Sequence, residues 1–363
     1  MIKKILVILA LFGLVVFATF YFFDRNVRQV EVIKETQEMQ TQSFCLHDDE
    51  LANFEIEPLG KYPSPGYDEG MVRISVKQIT TGKEIVKFEI GNVESGNYHP
   101  VELHKCGVYI IRGFNFDNKK FRPLPGFRRE LWFYNYGWVG KKIITLAGES
   151  KDGISDAAGV PGTLYAVDYS YDFRVDPLEK YIILEKGYLG KDDYSLVIKD
   201  LRTLKDAFML SLADIAKKKP NFAGSFGMRQ WTKDGKYFWG DIFDGADVLA
   251  VFRIDSATWK WEVFEVPPYT MGGTALNAEY GYITYSDGPP WTGDAEFDQI
   301  NKAKWLKEGK KLHFYLYSVF TKEKTLLTTA DDPLWSFKPE WLSDTKLQYE
   351  LPSGEKKVYE TKK

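Results

Sequence analysis

From about position 70 onward, hydrophobic and polar residues alternate in short runs, which is the pattern of β-strands that bury one face. Val72, Ile74 and Val76 alternate with polar residues, and a second alternating run follows at residues 86–90. A polar turn that contains a glycine separates the two runs. The pattern predicts a β-hairpin over residues 72–90 with one buried face.

The rest of the chain repeats a short unit in which a polar turn precedes an aromatic or aliphatic strand. Copies of this turn and strand occur at residues 105–111, 176–183, 233–239, 277–283 and 343–349. Hairpin patterns follow at residues 131–146, 194–210, 249–266 and 312–327. Units of four strands that recur every roughly 45–70 residues are typical of the blades of a β-propeller. The repeat therefore predicts an all-β fold built as a propeller.

One copy of the repeat is the most complete, because it combines a tryptophan with an Asp-Gly-Lys turn. It runs from Gln230 to Tyr237 and includes Trp231. This copy resembles the repeats of TolB-like β-propellers, and the resemblance extends over residues 72–360. It implies a propeller fold. It implies no single activity, because such propellers have transport, scaffolding, hydrolase and sensor roles.

Each end of the predicted propeller holds two strands without a complete unit. The hairpin at residues 72–90 precedes the first repeat, and the last repeat ends with strands near residues 346–351 and 356–360. We expect these strands to pair with each other, since pairing removes two exposed sheet edges. This arrangement closes a five-bladed ring in a domain that spans residues 71–361.

The N-terminus carries an uncharged hydrophobic run that is long enough to cross a bilayer. Residues 5–23 contain no charged side chain, and as a helix they span roughly 28 Å. Lys3 and Lys4 precede the run and favour a cytoplasmic N-terminus. The sequence predicts a single-pass anchor over residues 1–23 in the cell membrane, with the following domain periplasmic or extracellular. The alternative is a signal peptide that is cleaved after Ala18.

A polar segment over residues 24–70 follows the predicted anchor, and we interpret it as a stalk and lead-in. Cys45 lies in this segment and Cys106 lies in the first repeat, and they are the two cysteines of the chain. In an oxidising compartment such a pair predicts a disulfide, which ties the stalk to the first blade. The alternatives are free thiols, or a metal site with nearby histidines whose spacing matches no zinc motif.

The charge balance narrows the class of partner. The chain contains 48 basic and 51 acidic residues, which gives a formal net charge of −3. Proteins that bind phosphate backbones carry a clear basic excess. We therefore expect no nucleic-acid partner. No motif in the sequence predicts a cofactor or a resident metal.

The predicted loops between strands contain the candidate binding residues, because propellers commonly carry function in such loops. The loop predicted at residues 113–130 is basic, and its Arg128 and Arg129 are candidates for binding an anionic ligand. The alternative is a solvated loop that is held in place by its own phenylalanines.

Two later loops add acidic and aromatic candidates. Asp241, Asp244 and Asp247 belong to the third repeat, where calcium binding is one interpretation, although the spacing differs from that of known calcium loops. The fourth repeat carries an insertion with Asp287 and Trp291, and a helix is predicted at residues 295–307. Trp291 suits stacking on a sugar, or packing within its own loop beside two prolines.

No catalytic motif is present, because the sequence lacks a nucleophile elbow and its four histidines lack metal spacing. The sequence favours a binding or scaffolding module for an envelope protein or glycan. The alternative function is a carbohydrate-active enzyme of the glycoside hydrolase type, with two opposed carboxylates in the propeller cleft. Two inward carboxylates on different blades would favour the enzyme, and a plugged channel would favour the binding module.

Overall fold

The computed structural model shows a chain built mainly of β-strands, arranged in six antiparallel sheets. The described residues are 45–46, 52–58, 72–78, 81–91, 101–117, 122–137, 139–149, 165–167, 172–187, 194–219, 224–244, 247–270, 274–289 and 295–361. They form 23 strands and two helices. The described part of the chain is therefore all-β in character, as the alternating pattern predicted.

The first two sheets contain the first eight strands. Sheet 1 consists of β1 (Ala52–Pro58), β2 (Val72–Gln78) and β3 (Glu84–Ile90). Sheet 2 consists of β4 (Val101–His104), β5 (Gly107–Asp117), β6 (Arg122–Asn135), β7 (Gly140–Glu149) and β8 (Tyr165–Val167). In both sheets, strands that are consecutive in sequence are also neighbours in space.

The next three sheets have four strands each. Sheet 3 consists of β9 (Phe173–Val175), β10 (Tyr181–Lys186), β11 (Ser195–Asp200) and β12 (Asp206–Ser211). Sheet 4 consists of β13 (Ser225–Trp231), β14 (Tyr237–Asp244), β15 (Asp247–Asp255) and β16 (Trp261–Thr270). Sheet 5 consists of β17 (Leu276–Asn277), β18 (Tyr282–Ser286), β19 (Leu312–Ser318) and β20 (Lys324–Ala330). Four antiparallel strands in sequence order are the architecture of a propeller blade.

Sheet 6 and two helices complete the described structure. Sheet 6 consists of β21 (Glu340–Trp341), β22 (Lys346–Glu350) and β23 (Lys356–Glu360). Helix α1 (Leu212–Lys218) follows β12, and its N-cap residue Ser211 accepts a hydrogen bond from the Asp214 N–H. Helix α2 (Ala295–Lys307) lies between β18 and β19, which confirms the helix predicted from the sequence.

The hydrophobic core is divided into five clusters, and each cluster lies between two consecutive sheets. The clusters join sheets 1 and 2, 2 and 3, 3 and 4, 4 and 5, and 5 and 6. None of these clusters, which are formed by the described residues, joins sheet 6 to sheet 1. The sheets therefore pack face to face in chain order, as blades do.

Strand β14 shows how alternation builds two of these clusters at once. Phe238 and Ile242 belong to the cluster shared with sheet 3, whereas Trp239 belongs to the cluster shared with sheet 5. Successive side chains of a strand point to opposite faces, so one strand supplies both interfaces. The Trp239 indole is fully buried, and its Nε1–H donates to the Ala278 carbonyl of sheet 5 at 3.1 Å.

Hydrogen bonds connect the first strands of successive sheets. The Gln230 side-chain amide in β13 donates to the Leu276 carbonyl in β17 at 3.1 Å. The Asn277 amide in β17 donates to the Asp344 carbonyl, in the turn after β21, at 2.8 Å. The first strands of sheets 4, 5 and 6 therefore lie side by side.

The sheet topology corrects the predicted five-bladed ring. Strands β2 and β3 pair with β1, and strands β22 and β23 pair with β21, so that the two ends form separate sheets. No pairing between sheet 1 and sheet 6 occurs among the described strands. The two ends do not pair with each other, because each end forms a sheet with a third strand of its own.

A disulfide joins Cys45 to Cys106, as the sequence predicted. Cys106 lies in the turn between β4 and β5, and the neighbouring Leu46 N–H donates to the Lys105 carbonyl at 2.7 Å. The Leu46 side chain belongs to the cluster between sheets 1 and 2. The segment before β1 is therefore fixed to sheet 2 by a covalent bond and by packing.

The predicted anchor at residues 1–23 lies outside the described residues, as does most of the predicted stalk at residues 24–70. Within the stalk segment, the structure contains β1 where a polar spacer was expected. No helix in the described ranges has the length and hydrophobicity that crossing a membrane requires.

Candidate functional site

A cavity of about 940 Å³ lies where the first strands of sheets 4, 5 and 6 meet, and we call it the inner-strand cavity. Its lining residues are Arg174, Met228, Arg229, Gln230, Trp231, Lys233, Asp241, Thr274, Ala275, Leu276, Asn277, Ala278, Glu279, Pro339, Glu340, Trp341, Leu342, Ser343 and Asp344. Its volume is near the upper end of the range that is usual for ligand pockets.

A β-bulge positions Arg229 at the wall of this cavity. The pairing of β13 with β14 shifts register between Met228 and Gln230, so Arg229 is the extra residue of the bulge. Such a residue turns its side chain away from the regular alternation of the strand. The Arg229 Nε donates to Asp241 Oδ2 at 2.5 Å, and its Nη2 donates to Thr274 Oγ1 at 3.0 Å. Arg229 therefore joins both strands to the segment that precedes β17.

Asp241 is a buried carboxylate in a mainly hydrophobic strand, and only 6% of its surface is exposed. Burial raises the pKa of Asp241, and the Arg229 guanidinium opposes this rise without cancelling it. Asp241 Oδ2 accepts the bond from Arg229, whereas Oδ1 has no hydrogen-bond partner among the described residues. A buried carboxylate oxygen without a donor is costly, so it points to a function for this residue.

Arg174 extends the site to sheet 3. Its Nε donates to the Arg229 carbonyl at 3.0 Å, and its Nη1 donates to Asp172 Oδ1 at 2.6 Å. The first bond holds β9 against β13. The second pairs the guanidinium with the Asp172 carboxylate, so the positive charge of Arg174 is compensated within the cavity wall.

Lys233 links sheets 4, 5 and 6 at the cavity. Its Nζ donates to Asp344 Oδ1 at 2.5 Å, and its backbone N–H donates to Glu279 Oε1 at 2.5 Å. The Lys233 side chain is 72% exposed, so this ion pair contributes at most about 1 kcal/mol to stability. Its main effect is to hold two carboxylates at the edges of sheets 5 and 6.

Two tryptophans line the cavity with incomplete hydrogen bonding. The Nε1 atoms of Trp231 and Trp341 are buried and have no partner among the described residues. The Trp341 ring stacks on Tyr282 with ring centroids 6.3 Å apart. Trp231 belongs to the cluster between sheets 3 and 4, and Trp341 packs against the cluster between sheets 5 and 6, so both rings contribute to the contacts between sheets.

Of the acidic residues singled out from the sequence, the cavity contains Asp241 and not Asp244. Asp244 is exposed at the end of β14, where it pairs with Asp247 at the start of β15. No cluster of three or more metal-binding side chains is present in the described part of the chain. The calcium interpretation therefore gains no support from the structure.

The basic loop predicted at residues 113–130 is instead a β-hairpin of β5 and β6. The exposed Arg128 lies over the Phe114 ring at 4.3 Å, and its Nε lies 3.2 Å from Glu130 Oε1. Arg129 is only 2% exposed. The hairpin was not foreseen because its charged residues interrupt the hydrophobic alternation. The two arginines lie outside the inner-strand cavity.

Asp287 lies on sheet 5 in a separate polar group. Its carboxylate is 3.0 Å from His313 Nδ1 and accepts bonds from the His313 N–H at 2.8 Å and from the Tyr315 hydroxyl at 3.3 Å. These contacts join the end of β18 to β19. Trp291 lies outside the described residues.

The cavity also contains three notable residues that the sequence did not reveal as members of a site, namely Arg174, Arg229 and Trp341. Arg229 stands directly before the most complete repeat, which runs from Gln230 onward. The proximity of an arginine to the Trp231 turn was the available signal. Regular alternation gives no sign of the bulge that brings Arg229 to Asp241.

No protein-family model matches the sequence, and no curated protein matches it. Among solved structures, TolB from Acinetobacter baumannii is 12% identical over 86% of this chain and 80% of that chain, with a TM-score of 0.29. The β-propeller domain of the Trilobed protease from Pyrococcus furiosus is 11% identical over 80% of this chain and 72% of that chain, with a TM-score of 0.40. A prolyl endopeptidase is 10% identical over 80% of this chain and 35% of that chain, with a TM-score of 0.41.

The structural neighbours thus include TolB and other β-propeller proteins. Identities and TM-scores at this level give no basis for transferring a function. The chemistry of the site must be argued from its own residues. Of the four carboxylates that line the cavity, Asp241 alone is buried. The arrangement offers hydrogen-bonding atoms and aromatic surface, which suit non-covalent binding.

Proposed function

We propose that this protein is a membrane-anchored binding module outside the cytoplasm, and that it binds an envelope protein or glycan in the inner-strand cavity. The observation that carries the proposal is the cavity itself. It combines about 940 Å³ of space with a buried carboxylate oxygen that lacks a donor. Cavities of this size commonly hold a ligand or part of a partner.

Two features of the chain support a location at the membrane and outside the cytoplasm. The uncharged residues 5–23 have the length and composition of a membrane-spanning helix. The disulfide between Cys45 and Cys106 suits an oxidising compartment, because cytosolic proteins rarely keep such bonds. An anchor of this kind keeps the binding domain at the membrane surface, where envelope partners are concentrated.

The carbohydrate-active enzyme is the weaker proposal. Glycoside hydrolysis requires two carboxylates with separate roles, one as acid and one as base or nucleophile. Glu279 and Asp344 also line the cavity, but each accepts a hydrogen bond from Lys233 and serves the contact between sheets. Asp241 accepts from Arg229, so three of the four lining carboxylates are engaged in contacts within the protein. Of the residues singled out from the sequence, Asp241 is the one that the proposed site retains.

Site-specific photocrosslinking in the native host tests whether the cavity is occupied. A photoreactive amino acid replaces Leu342, which lines the cavity and is 49% exposed. The matched control replaces Leu326 of β20, which is 53% exposed and lies outside the cavity. Benzophenone and diazirine groups react with protein and glycan alike, so the probe captures either class of partner.

We expect irradiation to give a defined adduct of higher mass from the Leu342 position and none from the Leu326 position. The additional substitution Thr274→Trp fills the cavity and should abolish the adduct, whereas Thr325→Trp on exposed β20 should not. Equal labelling at both leucine positions, or no adduct at Leu342, would refute binding in the cavity.

A further inference from the structure

Part of one face of sheet 2 carries more positive than negative charge, and we call this surface the basic face. It consists of Arg112 and Phe114 on β5, of Arg128, Glu130 and Trp132 on β6, and of Lys142 on β7. The pairs that lie opposite each other in register are Phe114 with Arg128, Arg112 with Glu130, and Trp132 with Lys142. All six side chains therefore point to the same side of the sheet. The rest of this side packs against sheet 1.

Two of the three cations on the basic face share a single carboxylate. Arg128 Nε lies 3.2 Å from Glu130 Oε1, and Lys142 Nζ lies 3.4 Å from the same oxygen. Only 6% of the Glu130 side chain is exposed, whereas Arg128 and Lys142 are 47% and 49% exposed. The negative charge is therefore buried, and the two positive charges reach the surface.

The third cation, Arg112, has no carboxylate partner among the described residues. Its Nε donates to the Gly91 carbonyl at 3.2 Å, and its Nη1 donates to the Tyr134 hydroxyl at 2.8 Å. Both acceptors are neutral, so they position the guanidinium without compensating its charge. Among the described side chains, the basic face thus has an excess of two positive charges, and it should attract anions.

Aromatic rings support the two guanidinium groups of this face. The Arg112 guanidinium lies 4.9 Å from the centre of the Phe114 ring and 5.3 Å from that of Trp132. The Arg128 guanidinium lies 4.3 Å from the centre of the Phe114 ring. A guanidinium that stacks on a ring keeps its N–H donors available, because they lie in its own plane. The rings are in contact with cations, which favours an anionic ligand over one that stacks on aromatic rings.

We propose that the basic face binds an extended acidic segment of a partner protein. Successive pairs of the face are two residues apart along the strands, which is about 7 Å. In an extended polypeptide, alternate side chains point to the same side and have the same spacing. Acidic residues at alternate positions can therefore reach Arg128 and Arg112 in turn and match the positive excess. This surface lies outside the inner-strand cavity, so the inference goes beyond the proposed function.

The three cations should contribute unequally to the affinity. A guanidinium can bind a carboxylate through two parallel hydrogen bonds, whereas an exposed ammonium acts as a point charge. Arg128→Gln should therefore lower the affinity roughly 5- to 20-fold, and Lys142→Gln about 2- to 5-fold. Arg112→Lys keeps the charge and removes the planar group, so the affinity should fall about 3- to 10-fold.

Fluorescence anisotropy of the full-length protein in micelles of an uncharged detergent tests the inference. The probe is a labelled peptide in which glutamate alternates with threonine. The comparison ligands are the same peptide with glutamine in place of glutamate, a peptide of the same composition with its glutamates in one block, polyphosphate, and a uronic acid oligosaccharide.

The matched control variants are Arg202→Gln and Lys217→Gln. Arg202 is exposed in the turn between β11 and β12, and Lys217 of α1 is 75% exposed, so each removes a surface cation away from the basic face. A thermal melt of every variant shows that it remains folded. If Arg112→Lys does not fold, the variants of the exposed Arg128 and Lys142 still decide the outcome.

We expect saturable binding of the alternating peptide that weakens as salt is added and is lost with the glutamine peptide. The three basic-face variants should weaken it, and both controls should leave it unchanged. An absence of binding, or an equal loss in the controls, would overturn the inference. So would binding of the blocked peptide, polyphosphate or the uronic acid oligosaccharide that is as tight as that of the alternating peptide.

The titration and the photocrosslinking experiment report on different surfaces. If the acidic peptide does not bind while Leu342 forms its adduct, the basic-face inference is wrong and the proposed function stands. If the peptide binds while the adduct is absent, the inference stands and binding in the inner-strand cavity fails.

Discussion

Replacement of Asp241 by asparagine should make the protein more stable at neutral pH. Asp241 is only 6% exposed, and burial raises its pKa despite the attraction of Arg229. A carboxyl group whose pKa rises on folding lowers stability when it is ionised. This penalty is relieved as the pH falls through the folded-state pKa toward the value of the unfolded chain. The asparagine variant carries no such penalty at any pH.

The change in the free energy of unfolding depends on which interactions the Arg229 guanidinium loses. Breaking a fully buried ion pair is costly, because the remaining charge has no compensation. Arg229, however, is 22% exposed and keeps its hydrogen bond to Thr274 at 3.0 Å, so water and protein still solvate it. We therefore expect a net gain in the free energy of unfolding at neutral pH, which also raises the melting temperature.

Urea unfolding at a series of pH values from 7 to 4 measures this gain. The difference between Asp241→Asn and the wild type should be largest at neutral pH and should disappear at acid pH, where Asp241 is protonated. Asp244→Asn is the control, since Asp244 lies on the same strand and is exposed. A loss of stability at neutral pH, or a difference that does not vary with pH, would refute the reasoning.

Three further predictions concern other parts of the chain. Cys45→Ser opens a loop with a sequence separation of 61, which should cost roughly 4 kcal/mol in the chain-entropy model and is measured by urea unfolding; alkylation of both thiols in unreduced protein would contradict the bond. Trp239→Phe removes a buried hydrogen bond and leaves a void between sheets 4 and 5, so chemical unfolding should show a loss of about 2–3 kcal/mol; an unchanged midpoint would contradict this packing. The full-length chain should fractionate with membranes, and a chain without residues 1–23 should be soluble; a mature N-terminus at Thr19, found by mass spectrometry, would replace the anchor with a signal peptide.

The elements that could be predicted from the sequence are those whose hydrophobic periodicity extends over many residues. The hairpin of β19 and β20 and helix α2 each extend over many residues, so their periodicity and turns are visible in the sequence. By contrast, the first strands β9, β17 and β21 are only two or three residues long. No alternation can be recognised in so few positions. The predicted turn-and-strand repeats therefore correspond to the second strand of each sheet, and the first strand was missed.

The candidate site was predictable only in part for a related reason. Asp241 was singled out as one of several acidic residues of a predicted loop, whereas it lies within strand β14. Its partner Arg229 reaches it through a bulge, and the cavity is formed by strands from different sheets. Both depend on how the sheets are placed in space. Local sequence patterns carry no information about that placement.

The division of the core between neighbouring sheets affects the order in which parts of the domain unfold. Each cluster is built jointly by two sheets, so a sheet that unfolds exposes half of its neighbour's interior as well. Sheets 2, 3, 4 and 5 each share a cluster on both of their faces, whereas sheets 1 and 6 share one each among the described residues. Amide hydrogens should therefore exchange more slowly in these four inner sheets than in sheets 1 and 6. Sheet 6 also lines the inner-strand cavity, so this wall of the cavity would open before the wall that holds Asp241.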